Sequence, residues 1–228
     1  MSDPLALRLA EIDERIAQAA RSAGREPADL TRIVVTKFHP ASLVEQLFAL
    51  GVRDVGENRQ QELSGKVAET ALDGLRWHFI GQAQTNKARA VRAAASVVHT
   101  VDRARLADAL DRAGEPGDDP LDVLVQVNLT DDPARGGVEP AALEELAEHV
   151  SGCASLRLRG IMAVAPLDEE PAPAFARLHG YAERLRAVAP EARWISAGMT
   201  GDFVEAIAAG ATHLRIGSAI TGPRPERG

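Results

Sequence analysis

Lysine is nearly missing from a chain otherwise well supplied with charge: of 26 basic residues only Lys37, Lys66 and Lys87 are lysines. Arginine stays protonated inside proteins, whereas a buried lysine can lose its proton and act as a nucleophile. Each retained lysine therefore raises the question of what arginine could not do there. Cysteine is scarcer still. Cys153 stands alone, which excludes an intrachain disulfide and a cysteine-built zinc site and fits a reducing compartment. Aromatic residues make up 4% of the chain, so the core must come from Ala, Val, Leu and Ile. Positive charge is not in excess either: the formal net charge is −7, against the basic face that a phosphate backbone requires. Nucleic acid is not an expected partner, and the acids are expected to be spread over helix surfaces. No apolar run is long enough to span a bilayer. The N-terminal MSDPLALRLAEIDERIAQAA is charged and amphipathic rather than a secretory leader. The expectation is a cytoplasmic protein without membrane contact.

What is present is a repeated strand–helix rhythm. Short runs rich in β-branched residues occur at 31–37, 52–56, 75–80, 96–101, 121–129, 156–163, 193–197 and 212–217. Between them lie Ala/Leu/Glu/Arg stretches with helical spacing at 40–50, 58–70, 84–94, 102–113, 140–151, 172–189 and 201–209. Alternation of this kind predicts a parallel sheet with helices outside. Eight strands, with no stretch left for a second domain, favour a single α/β domain over 1–228 closed as a (β/α)8 TIM-type barrel; an open doubly wound sheet is the alternative. The last strand is followed only by SAITGPRPERG, too short and proline-rich for a covering helix. An N-terminal helix over roughly 3–23 is expected to cover that gap, and 223–228 reads as a flexible tail. GEPGDDP (114–120) reads as a turn on the face opposite the strand ends, and DDPARGGV (131–138) as a candidate mobile lid.

Functional groups of such a barrel sit at the C-terminal ends of its strands. Lys37 ends the first strand in IVVTKFHP. Alternation puts Ile33, Val35 and Lys37 on one face; pointing inward, the amine would sit over an apolar interior, where burial favours its neutral, nucleophilic form. A lysine snorkelling to solvent is the ordinary alternative. The last two strands run into SAGMTGD and RIGSAITG. Glycines there let the backbone approach an anion, and Thr200 and Ser218 add hydroxyl donors, in the loops where barrels commonly bind phosphate. Each loop taken alone is an ordinary turn; the pair is the signal. Arg215 shares its parity with His213 and Gly217; pointing into a closed barrel beside Lys37 it would need an acceptor or an anion, and an outward arginine in a surface ion pair is the other reading.

Together IVVTKFHP, GVRDVGENRQQEL, LRWHFIGQAQTNKAR, VVHTVDR, VLVQVNL, LRGIMAVAP and SAGMTGDFVEAIAAGATHLRIGSAITG resemble the pyridoxal-phosphate homeostasis family (YggS/PROSC-type proteins), in order from about residue 31 to 222. The resemblance implies a fold-type III barrel similar to the N-terminal domain of alanine racemase, with pyridoxal 5′-phosphate as cofactor and Lys37 as its Schiff-base lysine. It further implies Arg215 facing the pyridine nitrogen and Thr200, Gly217 and Ser218 around the phosphate. Thr200 stands where the family usually has Ser. Phe38-His39 and Ala83 also depart from the family pattern without removing a cofactor contact. Asn58, placed to cap the helix after the second strand, and His78, inward on the third, are further candidate contacts; an ordinary cap and a hydrogen-bonded core histidine are their other readings. Asp102 reads as another cap, and Lys87 as a solvated cation.

An arginine on the ring nitrogen keeps it unprotonated and weakens the cofactor as an electron sink. A barrel-type racemase also needs a second acid/base, a tyrosine from a partner's additional domain; the only tyrosine here, Tyr181, lies mid-helix. The resemblance therefore implies a protein that buffers or delivers pyridoxal phosphate, with apo-enzymes as possible recipients and without robust turnover. A small amino-acid racemase or related lyase is the alternative, and a Schiff-base aldolase using Lys37 comes third.

Overall fold

In the computed structural model, which describes residues 3–224, each β-branched run becomes a strand and each amphipathic run a helix. Residues 225–228 of the expected tail lie outside the described residues. The strands are β1 (Thr31–Val35), β2 (Asp54–Glu57), β3 (Arg76–Phe79), β4 (Val97–Val101), β5 (Leu121–Gln126), β6 (Leu156–Met162), β7 (Trp194–Ser196) and β8 (His213–Ile216). They pair in parallel in sequence order. β8 closes onto β1 with Thr31 opposite His213 and Ile33 opposite Arg215, so the sheet is a closed eight-stranded barrel. Two expected strands stop early for local reasons. β1 ends at Val35 rather than Lys37 because the chain turns: His39 N–H donates to the Thr36 carbonyl at 3.1 Å, and Phe38 takes a left-handed φ of 70°. β5 ends at Gln126 because Asn128 folds the chain onto itself, its Oδ1 accepting from Thr130 N at 2.9 Å. The 131–138 segment is tied in by Val138 N–H to the Gln126 carbonyl at 2.8 Å.

The outer layer is α2 (Ala41–Ala49), α3 (Gln60–Thr70), α4 (Ala88–Ala94), α5 (Ala104–Asp111), α6 (Leu143–Ser151), α7 (Pro171–Val188), α8 (Phe203–Ala208) and the single turn α9 (Ser218–Thr221). Outward strand residues such as Val34, Val55, Val98, Val123, Ile161, Ile195 and Leu214 pack with the buried helix faces into one apolar shell. Much of that shell is Ala, Val and Leu, as the shortage of aromatics requires.

The first helix, α1 (Pro4–Ser22), starts where Asp3 Oδ1 accepts from Leu5 N–H at 2.9 Å and Pro4 opens the first turn. Leu5, Leu9, Ile12, Ile16, Ala19 and Ala20 recur at helical spacing and are buried. They cover the gap beside α8 and α9, as anticipated. Arg8 Nε donates to the Ile220 carbonyl at 2.7 Å, and Arg25 Nη1 to the carbonyls of Ile207 and Ala211 at 2.9 and 2.7 Å. No described helix is long and apolar enough to cross a membrane.

Inside the barrel, an apolar plug of Val97, Leu124 and Met162 with Trp194 against it fills only part of the space. Inward-facing His78, His99, Ser196, His213 and Arg215 are all buried, where barrels usually carry branched aliphatics. The N-terminal helix belongs to the cooperative unit: Ile12→Ala should lower the unfolding free energy by ~2–4 kcal/mol. Urea denaturation measures it, and an unchanged midpoint would show that α1 is only loosely attached.

Candidate functional site

The site is built from the turn that follows β1. Thr36 is fully buried, and its hydroxyl donates to Glu57 Oε1 at 2.6 Å. Lys66, reaching in from α3, donates its Nζ to the same oxygen and to the Thr36 carbonyl at 2.8 Å. Phe38 N–H donates to Glu62 Oε2 at 2.9 Å. The residues on both sides of Lys37 are thus clamped to β2 and α3. Burial pushes the Glu57 carboxyl up, ahead of the opposing pull of Lys66 and Thr36, and its second oxygen has no partner. One of the three lysines is therefore structural: an arginine fork would not fit a single buried oxygen and a carbonyl as a compact ammonium does.

Lys37 itself is exposed. Of the two readings, buried amine or lysine reaching solvent, the structure has the second, with β1 ending at Val35, two residues before Lys37. Lys37 lines a cavity of about 150 Å3 together with Val35, Phe38, His39, Gly217 and Ser218. The amine from β1 and the turn after β8 therefore meet in one pocket, as the barrel closure requires. Phe38 is held between guanidinium groups, with Arg224 3.7 Å and Arg59 5.4 Å from its ring centroid. Thr200 lies half-buried on the adjacent turn after β7 and is not part of the lining of that cavity. That turn needs a glycine: Gly198 has φ 91°, and a Cβ there would lie 2.8 Å from Ala206 Cβ. Its carbonyl accepts from Arg215 N–H at 2.9 Å, joining that turn to β8.

Arg215 points inward, as its parity predicts, and is almost completely buried. Its Nη1 donates to Ser196 Oγ at 2.6 Å and its Nη2 to the Ala163 carbonyl at 2.9 Å. Both partners are neutral, and burial lowers its pKa to about 10. His78 has both ring nitrogens engaged, Nδ1 with His99 Nε2 at 2.9 Å and Nε2 with Asp54 Oδ1 at 2.8 Å, so the structure places it as a hydrogen-bonded core histidine. Asn58 does not cap α3, whose N-cap position is Arg59 with no side-chain cap. Instead its backbone lies against Gly81, where a Cβ would come within 1.9 Å of the Asn58 carbonyl, and its side-chain Oδ1 is buried without a partner. Asp102 is not a cap either; it pairs with Arg103, the N-cap position of α5. Tyr181 lines a different cavity, between the β5–α6 and β6–α7 loops. Among the described residues one group brings three candidate metal ligands within 4.8 Å of one another, Asp108, His149 and Cys153. It shares no residue with the Lys37 pocket, and Asp108 and His149 already pair across α5 and α6 at 2.7 Å. His39, Thr221, Gly222 and Arg224 complete the Lys37 pocket and were not foreseen. Only the unusual Phe38-His39 pair marked any of them.

The residues present fit pyridoxal phosphate on two structural counts. A buried guanidinium with only neutral partners and an orphaned buried Asn58 oxygen both have polar capacity left to satisfy. Comparison with known proteins agrees with the geometry. Residues 7–225 match the alanine racemase N-terminal domain, which defines the class of this barrel. The pyridoxal phosphate homeostasis protein of Mycobacterium tuberculosis is 41% identical over 239 aligned positions, covering 95% of this chain and 91% of that protein. PipY of Synechococcus elongatus, solved with PLP bound, is 36% identical with a TM-score of 0.83 and is covered over its full length. Alanine racemase of Corynebacterium glutamicum shares the fold at 15% identity and a TM-score of 0.68, with 62% of its chain covered. The chain belongs to the pyridoxal phosphate homeostasis protein family.

Two outcomes follow from the electrostatics. Lys66→Met strands the buried Glu57 carboxylate and should cost about 3 kcal/mol or more, whereas Lys66→Met with Glu57→Gln should recover most of that loss. Equal stabilities for the single and double variants in urea denaturation would contradict the buried pair. Separately, burial lowers the pKa of His78, of His99 well below the usual value, and of His213 to about 3. The unfolded chain takes up these protons first, so the stability contribution is full above pH ~6.5 and falls as pH drops below it, by about 1.4 kcal/mol per pH unit per imidazole. The thermal midpoint should be flat from pH 8 to 7 and decline from 6.5 to 5. His213→Gln should make that decline shallower.

Proposed function

We propose that this protein binds pyridoxal 5′-phosphate covalently through Lys37 and serves its homeostasis, holding and releasing the cofactor for apo-enzymes in the cytoplasm rather than turning over a substrate. The observation that carries the reading is the exposed Lys37 amine sharing a pocket with Gly217 and Ser218, with the buried Arg215 guanidinium on the neighbouring strand. When bound, the cofactor supplies an aldehyde for the amine and a ring that withdraws electrons. Lys37 provides the nucleophile. Gly217, Ser218 and, from the adjacent turn, Thr200 are positioned to receive the phosphate. Arg215 is a donor-only group: it can give an N–H to a ring nitrogen but cannot hold a proton there as a carboxylate would. Asn58 offers its unpartnered oxygen to the cofactor edge. His78, with both nitrogens engaged, is assigned to the barrel interior rather than to direct contact.

Two features support carriage over catalysis. The relatives are named for homeostasis. The one tyrosine lies in another cavity. A racemase reading keeps one observation in its favour: His39 lines the Lys37 pocket, with its pKa lowered by burial and by the Lys66 charge.

Borohydride reduction followed by peptide mass mapping should place the cofactor on the peptide containing Lys37, and Lys37→Ala should lose the visible absorption band. Label on Lys66 or Lys87 instead would refute the assignment. Sustained conversion of an L-amino acid to its D form, abolished by His39→Ala, would replace the carrier reading with the racemase one.

A further inference from the structure

Five side chains from five strands form an unbroken hydrogen-bonded line through the barrel. Asp54 Oδ1, at the start of β2, lies 2.8 Å from His78 Nε2 on β3. His78 Nδ1 lies 2.9 Å from His99 Nε2 on β4. His99 Nδ1 lies 2.9 Å from Ser196 Oγ on β7, and Ser196 Oγ accepts from Arg215 Nη1 on β8 at 2.6 Å. The two ends determine every proton between them. An ionised carboxylate only accepts and a guanidinium only donates, and a neutral imidazole has one nitrogen of each kind. Hence His78 donates from Nε2 to Asp54 and accepts at Nδ1. His99 in turn donates from Nε2 to His78 and accepts at Nδ1 from the Ser196 hydroxyl, which accepts from Arg215. With both rings neutral, no other arrangement satisfies all five groups.

The line is buried for most of its length: His78, His99 and Ser196 are fully inaccessible. Reversing one bond would leave a buried donor facing a donor, at a cost of about 1–3 kcal/mol, so the groups are coupled. Asp54 is held at the foot by Arg76 as well, at 2.7 Å. The consequence falls on Arg215. With Nη1 fixed to Ser196 and Nη2 to the Ala163 carbonyl, the plane of the guanidinium is set from within the barrel wall.

We propose that Ser196, His99, His78 and Asp54 are positioning residues for the cofactor site, forming a directional chain that orients Arg215 from the opposite end of the barrel. The proposal rests on the reading that Arg215 faces pyridoxal phosphate bound at Lys37. It differs from plain structural packing by requiring that a change at Asp54, outside the Lys37 pocket, be felt by the bound cofactor.

Two measurements decide it. In the cofactor-free, 15N-labelled protein, long-range proton–nitrogen correlations should show His78 and His99 both neutral and both protonated at Nε2. A charged ring, or Nδ1 protonation of His99, overturns the chain irrespective of what binds at Lys37. In the second, Asp54→Ala and Ser196→Ala, confirmed as folded by circular dichroism, are titrated with pyridoxal 5′-phosphate. Each should bind about tenfold more weakly than the wild type and shift the visible band, while Asp54→Asn, which keeps an acceptor for His78, should stay close to the wild type. Wild-type affinity and an unmoved band in both alanine variants would overturn the positioning role. Failure of the wild-type protein itself to take up the cofactor on Lys37 would instead refute the functional reading and, with it, a positioning role toward that cofactor, leaving the tautomer result to judge the chain alone.

Discussion

A guanidinium enclosed by a barrel must be met by acceptors, and the interior of this protein is organised around that demand. Arg215 finds only a serine hydroxyl and a backbone carbonyl, both neutral. The serine can accept from it because its own proton goes to His99, and so on down to Asp54. Leaving a buried polar group unmatched costs more than a typical bond gains, so the requirement propagates across the sheet. Apolar residues that normally fill such a barrel are displaced to a small plug at Val97, Leu124 and Met162.

The mouth follows a different rule. Lys37 is accessible, yet its neighbours are anchored by the buried Glu57–Lys66 pair and by the bond from Phe38 to Glu62. An exposed amine on a fixed base can be reached by an aldehyde without opening the fold.

Two lysines retained in an arginine-rich chain thus have separate explanations. Lys66 is a structural cation serving one buried carboxylate oxygen, and Lys37 is the reactive candidate. Composition raised the question for both but could not divide them, because burial of Lys66 depends on α3 lying over the end of β2. The same limit applies to Asn58 and Asp102. Either could cap the helix that follows, yet the helices begin one residue further along than a cap would need, and only the packed loops show it.

Eight β-branched runs separated by helical stretches favoured a closed parallel barrel over an open doubly wound sheet, since period and order are local properties of the chain; the closure itself is seen only in the pairing of β8 with β1. The parity of Arg215 and the covering role of α1 followed from the same patterns. The turn residues after the last two strands marked the side proposed to receive the phosphate. What those patterns could not contain was the meeting of Asp54, His78, His99, Ser196 and Arg215. These residues are separated by up to 161 positions in the chain (215 − 54) and are joined only when the sheet closes. The end of β1 at Val35, two residues short of Lys37, was likewise a tertiary outcome. Periodicity assigns a side chain to a face, but which partner it meets there depends on the register between strands distant in sequence.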